Sequence, residues 1–483
     1  MRENYTMLFD FYEMTMANGY FNSDYKDKIV YFDVFYRSVP DKGGYAICCG
    51  LESIINYIQN LHFEESDIKY LRNKNCFSDD FLEYLKDFKF NGDIWAAPEG
   101  TIIFPNEPVV TVRANIIEAQ LIETYLLLSI NYQSLIATKT KRIVEAAKGK
   151  AVMEFGSRRA QGESAALLGA RSAYIAGAVG TACAMADIRY GVPALGTMAH
   201  SWVQTFDNEY DAFITYCKTY PNNATLLVDT YNVLKSGVPN AIKAFKEVLW
   251  PLGIKNCAIR IDSGDITYLS KKARKMLDDA GLYECKICVS NSLDEFLIKD
   301  LLEQGAPIDS FGVGERLITS KSEPVFGGVY KLVAIEEDGV IIPRIKISEN
   351  EAKITNPGFK KVYRFYSKET HKALADLLCL YDEVIDESKP YTIFDPVQTW
   401  KQKELTNFYV KEVLVPIFKG GKLVYQMPTI KEIRENCESQ FNTLWNENTR
   451  FSNPNKYYVD LSQKLWDLKN DMLTKYFNLY NKK

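Results

Sequence analysis

Residues 257–314 read CAIRIDSGDITYLSKKARKMLDDAGLYECKICVSNSLDEFLIKDLLEQGAPIDSFGVG, and the rhythm of this stretch decides the fold. Short apolar runs at 257–261, 285–289 and 309–313 read as strands. Between the first two, Ile266, Leu269, Ala273, Met276 and Leu277 recur at helical spacing. Ser292-Leu293-Asp294-Glu295 has the form of a capping box that opens the next helix, and Gly305 closes it. Further apolar runs stand upstream at 151–155, 192–195 and 224–228. Pro239 suits a first helical turn, with Ile242, Phe245 and Leu249 following at spacings of three and four. Repeated strand–helix units call for parallel strands, and this many in about 200 residues predict a closed or nearly closed α/β barrel.

The flanks have a different texture. The run IVYFDVFYR at 29–37 and EPVVTVR at 107–113 read as strands, and 116–130 as a helix. The aromatic- and lysine-rich stretch 457–480 reads as helices that dock, with a solvated charged tail as the alternative. The chain therefore divides into an N-terminal mixed α/β domain at 1–129, a barrel with the active site at 130–340, and C-terminal strands and helices at 341–483 packing on the other two.

Apolar residues make up 47% and charged residues 25% of the 483, which excludes a disordered chain or a disulfide scaffold. The net charge of -4 offers no bulk surface for nucleic acid or an anionic membrane, so any anion site must be local. Asp10 and Glu13 interrupt any signal-peptide core, and the apolar stretch 172–186 is too short to span a bilayer. Ten scattered cysteines fit a reduced, cytoplasmic setting. Cys285 and Cys288 form a lone CxxC within a strand-like run, where positions three apart face opposite sides.

Each barrel-region strand ends in polar or glycine residues, the position that lines the active site of parallel α/β folds. Gly312-Val313-Gly314 follows the last strand, where bare amides and a helix start favour a phosphate, and Ser290-Asn291-Ser292 adds donors nearby. Asp229 and Asp262 end separate strands; they could hold Mg²⁺, bond sugar hydroxyls, or simply cap helices. His200 follows a strand run beside Ser201, whereas His62 and His371 lie among charged residues and read as surface positions. Phe155 could stack on a planar ring, Gly156 permits close backbone approach, and Arg158 could grip a carboxylate with two parallel hydrogen bonds, a combination suited to a flat aromatic acid. No P-loop, HExxH, GxSxG or dinucleotide-binding glycine fingerprint is present.

In their order along the chain these segments resemble nicotinate phosphoribosyltransferases, a type II phosphoribosyltransferase family. The resemblance is carried by Tyr12-Glu13-Met14-Thr15-Met16-Ala17, Glu154-Phe155-Gly156-Ser157-Arg158-Arg159-Ala160-Gln161-Gly162, Gly196-Thr197-Met198-Ala199-His200-Ser201, Val228-Asp229-Thr230-Tyr231, Arg260-Ile261-Asp262-Ser263-Gly264-Asp265, Val289-Ser290-Asn291 and Phe311-Gly312-Val313-Gly314. It implies an irregular α/β barrel packed against a mixed α+β domain, in a homodimer with shared active sites. It implies that nicotinate and phosphoribosyl pyrophosphate give nicotinate mononucleotide and pyrophosphate, a step of NAD biosynthesis. ATP is the co-substrate, coupled through phosphorylated His200. The nicotinate ring would lie between Phe155 and, from the neighbouring subunit, Tyr12, with Thr181 nearby, and Arg158 and Arg260 match the acid-binding arginines. Ser290, Asn291, Gly312 and Gly314 match phosphate loops, and Asp229 and Asp262 match positions near the ribose, pyrophosphate and Mg²⁺.

The nearest rival is the nicotinamide-using branch, which carries an acid after a Gly-Thr pair. Here that tripeptide reads Gly180-Thr181-Ala182, which favours the acid over the amide. Two further readings are a sugar-phosphate lyase or isomerase using His200 as acid and base, and a ligand sensor without turnover.

Overall fold

The computed structural model describes residues 4–350 and 353–481. It divides into two compact units: the described residues up to Leu135 together with those from Val325 onward, and Ile136–Pro324. Set against the three segments read from texture, the C-terminal segment shares one unit with the N-terminal one. The reason is strand pairing: Val415–Lys419 pairs antiparallel with Asp93–Ala96 and extends a seven-stranded sheet around Ile29–Phe35.

That first unit is antiparallel at its centre. Ile29–Phe35 lies between Val329–Glu337 and Val110–Asn115, and six of its seven residues are buried. The helix expected over 116–130 is instead two, Ile116–Leu121 and Glu123–Ala146. At the C-terminal end, 457–480 is a short strand, Val459–Leu461, followed by the helix Gln463–Asn481. This helix is docked: Leu465 is fully buried, and Trp466 and Leu468 pack against the same core.

The second unit carries the parallel sheet. Its strands are Ala151–Glu154, Ser310–Val313, Lys286–Val289, Ala258–Ile261 and Thr225–Leu227, in that spatial order, all paired in parallel. Isolated parallel bridges from Glu154 to Thr181 and from Thr181 to Ala194 add two more segments beyond Ala151–Glu154. The run expected as a strand at 192–195 contributes only that last bridge. The seven segments form an arc whose two edges meet through side chains, because His200, just past the Ala194 edge, bonds Thr230, just past the Thr225–Leu227 edge.

Helices join the strands as the periodicity predicts. Ile266–Asp279 follows Ala258–Ile261, and its N-cap is Asp265, whose side chain accepts from Tyr268 N at 2.9 Å. Pro239 stands in the first turn of Val238–Ala244. The expected capping box is displaced: the helix is Glu295–Glu303, and Asp294 caps it by accepting from Leu297 N at 2.8 Å. Ser292 stays outside with a φ of 45°, because the buried Leu293 side chain turns the chain inward before the helix begins. Gly305, with a φ of 75°, ends the segment as expected.

Candidate active site at the strand ends

The C-terminal ends of the parallel strands bring His200, Asp229, Arg260, Asp262 and Ser290 into one connected group. Arg260, near the end of Ala258–Ile261, donates from Nε to Ser290 Oγ at 2.9 Å and from Nη1 to Thr197 Oγ1 at 3.1 Å and Met198 O at 3.3 Å. Its Nη2 lies 3.3 Å from Asp262 Oδ1. Nε and Nη1 are thus hydrogen-bonded to protein, and Nη2 is ion-paired. Arg260 ties three strand ends together. Arg158, by contrast, is exposed on the short turn Ser157–Arg159 and has no ion pair among the described residues.

Asp262 is the centre of the group. It accepts from Ser290 Oγ, pairs with Arg260, and presents Oδ2 at 3.7 Å from His200 Nε2. The other imidazole nitrogen, Nδ1, lies 3.1 Å from Thr230 Oγ1. His200 opens the helix His200–Thr205 and its side chain is 40% exposed, so the ring is hydrogen-bonded at Nδ1, faces a carboxylate at Nε2, and is open to solvent. The capping alternative for Asp262 is removed, since Asp265 caps that helix. His62 and His371 are exposed, as read.

Asp229 sits one strand away. Its Oδ2 accepts from Asp262 N at 3.0 Å and Ser263 Oγ at 2.6 Å. Its Oδ1 is buried with no hydrogen-bond partner among the described residues. A buried carboxylate oxygen without a donor is costly, so this atom is suited to a hydroxyl or a cation. The described residues contain no cluster of three metal-ligating side chains. Two carboxylates are nonetheless enough for Mg²⁺, which keeps several waters and takes the rest of its shell from substrate phosphates.

Phe155 forms one wall. Its backbone N donates to Val313 O at 2.7 Å, and the Arg260 guanidinium lies 5.9 Å from its ring centroid. A Cβ at position 312 would lie 2.6 Å from Phe155 Cδ2, so only glycine leaves the ring where it is. Gly314 N-caps the short helix Glu315–Ile318. Asn291 is exposed and has a φ of 102°, a conformation uncommon for a residue with a side chain. Thr181 is fully buried; its hydroxyl donates to Glu154 Oε2 at 2.6 Å and accepts from Cys183 N at 3.0 Å. Ala182, the next residue, is exposed.

Tyr12 belongs to the first unit, on the helix Phe11–Phe21, and is 45% exposed. Partial burial and the Glu123 carboxylate push its hydroxyl well above the usual phenol range. Three participants stand within the quoted strand-end segments but were given no role there. Thr230 and Thr197 are short hydroxyl residues with no spacing signature. Glu154 had one usable signal, an acid at the last position of an otherwise apolar strand.

Parallel strands with polar C-terminal ends define the class of α/β enzymes whose site lies along one rim of the sheet. Within that class the comparisons are specific. Residues 7–131 match the nicotinate phosphoribosyltransferase N-terminal domain, 150–342 the nicotinate phosphoribosyltransferase family, and 359–469 the nicotinate phosphoribosyltransferase C-terminal domain. The nicotinate phosphoribosyltransferase of Bacillus subtilis is 45% identical over 95% of this chain and 93% of its own. The crystal structure of human nicotinic acid phosphoribosyltransferase superposes with a TM-score of 0.83 at 26% identity, covering 96% of this chain and 100% of that one. That of nicotinate-nucleotide pyrophosphorylase from Pyrococcus furiosus superposes with a TM-score of 0.70 at 25% identity, covering 91% and 96%. The chain is a phosphoribosyltransferase and belongs to the nicotinate phosphoribosyltransferase family. No helix among the described residues is long and apolar enough to cross a membrane.

Proposed function

We propose that this enzyme joins nicotinate to phosphoribosyl pyrophosphate, giving nicotinate mononucleotide and pyrophosphate for NAD biosynthesis or salvage, with ATP hydrolysis coupled through phosphorylation of His200. The observation that carries the reading is the continuous link His200–Asp262–Arg260–Ser290 at the strand ends, with Phe155 and the glycines at 312 and 314 beside it. Family membership supports the transfer itself. The contacts of His200 support the coupling, because an imidazole oriented by a hydrogen bond at Nδ1 and open to solvent can present Nε2 to an incoming phosphoryl group.

The pyridine nitrogen needs no general base. Its lone pair forms the bond to the ribose C1 as the C1–oxygen bond to pyrophosphate breaks, and the bond electrons leave with the pyrophosphate. The enzyme's task is to orient that nitrogen and to stabilise separated charge. Phe155 offers a face to the ring, and the exposed Arg158 a fork for its carboxylate. In a homodimer with shared sites, Tyr12 of a second copy would cover the other face. Thr181 supports this pocket from behind, with its hydroxyl already committed to Glu154. Asn291, Gly312 and Gly314 offer backbone amides to phosphate, while the Ser290 hydroxyl is held between Arg260 and Asp262. Asp229, with Asp262 beside it, would hold Mg²⁺, which when bound neutralises charge on the leaving pyrophosphate. The orphan Oδ1 of Asp229 supports that role or a bond to a ribose hydroxyl.

His200 is neither the acid nor the base of the transfer. It takes a phosphoryl group from ATP at a ring nitrogen, ADP leaves, and the resulting dianion organises nearby cations and tightens substrate binding until hydrolysis releases it. The mostly buried cysteines, with Cys76 the exposed exception and Cys183 partly so, suit a cytoplasmic setting.

The deciding experiment is a pyrophosphate-release assay with nicotinate, nicotinamide and quinolinate, each with and without ATP. We expect release with nicotinate above the other two, and ATP hydrolysis stimulated by the substrates. No release with nicotinate would overturn the transfer, and ATP hydrolysis indifferent to substrate would overturn the coupling.

A further inference from the structure

Glu154 ends the strand Ala151–Glu154 with no exposed surface. Its two carboxylate oxygens face different segments. Oε1 accepts from the Gly156 amide, and Oε2 accepts from Thr181 Oγ1 at 2.6 Å. The backbone repeats the second link: Glu154 N donates to Gly180 O at 2.9 Å, and Ala182 N donates to Glu154 O at 2.8 Å. A buried carboxylate is costly unless donors meet its oxygens, and here each oxygen has one. A Cβ at position 156 would lie 2.8 Å from Glu154 Oε1 and 2.6 Å from Ile318 Cβ, so glycine is what lets that amide come close.

The two segments so tied are the ones that bear on the pyridine acid. Gly156 leads directly into the turn carrying Arg158. Thr181 leads directly to Ala182, the position where the amide-using branch has an acid. We infer that Glu154 is a positioning residue for nicotinate: it sets the spacing between the Arg158 turn and the Thr181–Ala182 segment, and through that spacing the fit of the pyridine carboxylate. This inference rests on the transfer proposed above. Glu154 touches no substrate in this role; it acts through Gly156 and Thr181. The loops at 290–291 and 312–314, proposed above for phosphate, donate no hydrogen bond to its carboxylate among the described residues. Its loss should therefore separate the two substrates.

The test measures KM for nicotinate and for phosphoribosyl pyrophosphate in the full chain, by pyrophosphate release, for Glu154→Leu, Glu154→Gln and Thr181→Val. Leucine keeps the volume and removes both bridges. KM for nicotinate should rise tenfold or more, while KM for phosphoribosyl pyrophosphate stays within twofold. Glutamine can retain both bridges, its amide oxygen taking the Gly156 N–H and its amide nitrogen donating to Thr181 Oγ1, so KM for nicotinate should stay within threefold of the parent. Thr181→Val cuts the Glu154 bridge at nearly constant shape, along with the acceptor for Cys183 N, and should raise the same KM three- to tenfold. Added to Glu154→Leu it should raise that KM by less than it does alone, because the bridge the two share is already gone. An unchanged KM for nicotinate in Glu154→Leu, or an equal rise for both substrates, would overturn the inference. If the leucine variant fails to fold, an unchanged KM for nicotinate in Thr181→Val overturns it alone. A parent enzyme that releases no pyrophosphate from nicotinate sinks the transfer itself, a result distinct from any of these.

Discussion

Asp262 presents Oδ2 to His200 Nε2 at 3.7 Å while its other oxygen faces Arg260 at 3.3 Å, so one carboxylate stands between the imidazole and the guanidinium. Any change in charge on the ring is felt by Asp262 first, and through it by the arginine that ties three strand ends. This is the short physical route by which the phosphorylation proposed for His200 would reach the strand-end group.

His200→Ala should separate coupling from transfer. Pyrophosphate release should persist, with substrate binding weakened roughly 5- to 150-fold, the usual range for a coupling free energy between two sites. Substrate-stimulated ATP hydrolysis, followed as phosphate release, should disappear. Stimulated hydrolysis at the parent rate would remove His200 from the coupling.

Ala182→Asp should turn selectivity against the acid. A carboxylate about 4 Å from the substrate carboxylate costs about 4 kcal/mol at an effective dielectric near 20 and about 1 kcal/mol in bulk water. Position 182 is exposed, so the lower half of that range applies. The ratio of kcat/KM for nicotinate over nicotinamide should fall between about 5-fold and 50-fold, read in competition assays. A ratio that does not move would mean that residue 182 does not face the pyridine substituent.

Glu13→Gln should flatten the response of stability to pH. Burial raises the Glu13 carboxyl from 4.5 to about 7, with Thr124 Oγ1 and Asp10 N as its opposing donors. The folded state thus binds a proton that the unfolded state releases. The stabilisation is complete below pH 4.5 and is lost as pH rises through 7, an effect of at most about 3 kcal/mol for one group. The glutamine variant mimics the neutral acid. Its melting temperature should match the parent near pH 4.5 and exceed it above pH 7, by thermal unfolding at several pH values.

The sequence carried the parallel sheet well because buried parallel strands are continuous apolar runs. The runs at 257–261, 285–289 and 309–313 became Ala258–Ile261, Lys286–Val289 and Ser310–Val313. It failed where one rule has two solutions: Ser292 and Asp294 both satisfy a cap pattern, and the burial of Leu293 decides between them. The run at 192–195 is apolar enough for a strand, yet only Ala194 pairs. Most candidate site residues were legible as polar ends of apolar strands. What could not be read was direction: that Arg260 turns toward Ser290 and Thr197, and that the Thr181 hydroxyl turns back to Glu154, depend on which strands are neighbours in space.

The seam between the two edges of the arc has a mechanical consequence. Among the described residues no backbone ladder crosses it, and His200 reaches Thr230 with a rotatable ring. Elsewhere the rim is stitched by main-chain bonds that resist stretching. Every described link across this gap is a side chain, from His200 to Thr230 and from Arg260 to Thr197 and Met198, so the opening there can widen or narrow by side-chain rotation without breaking a strand ladder.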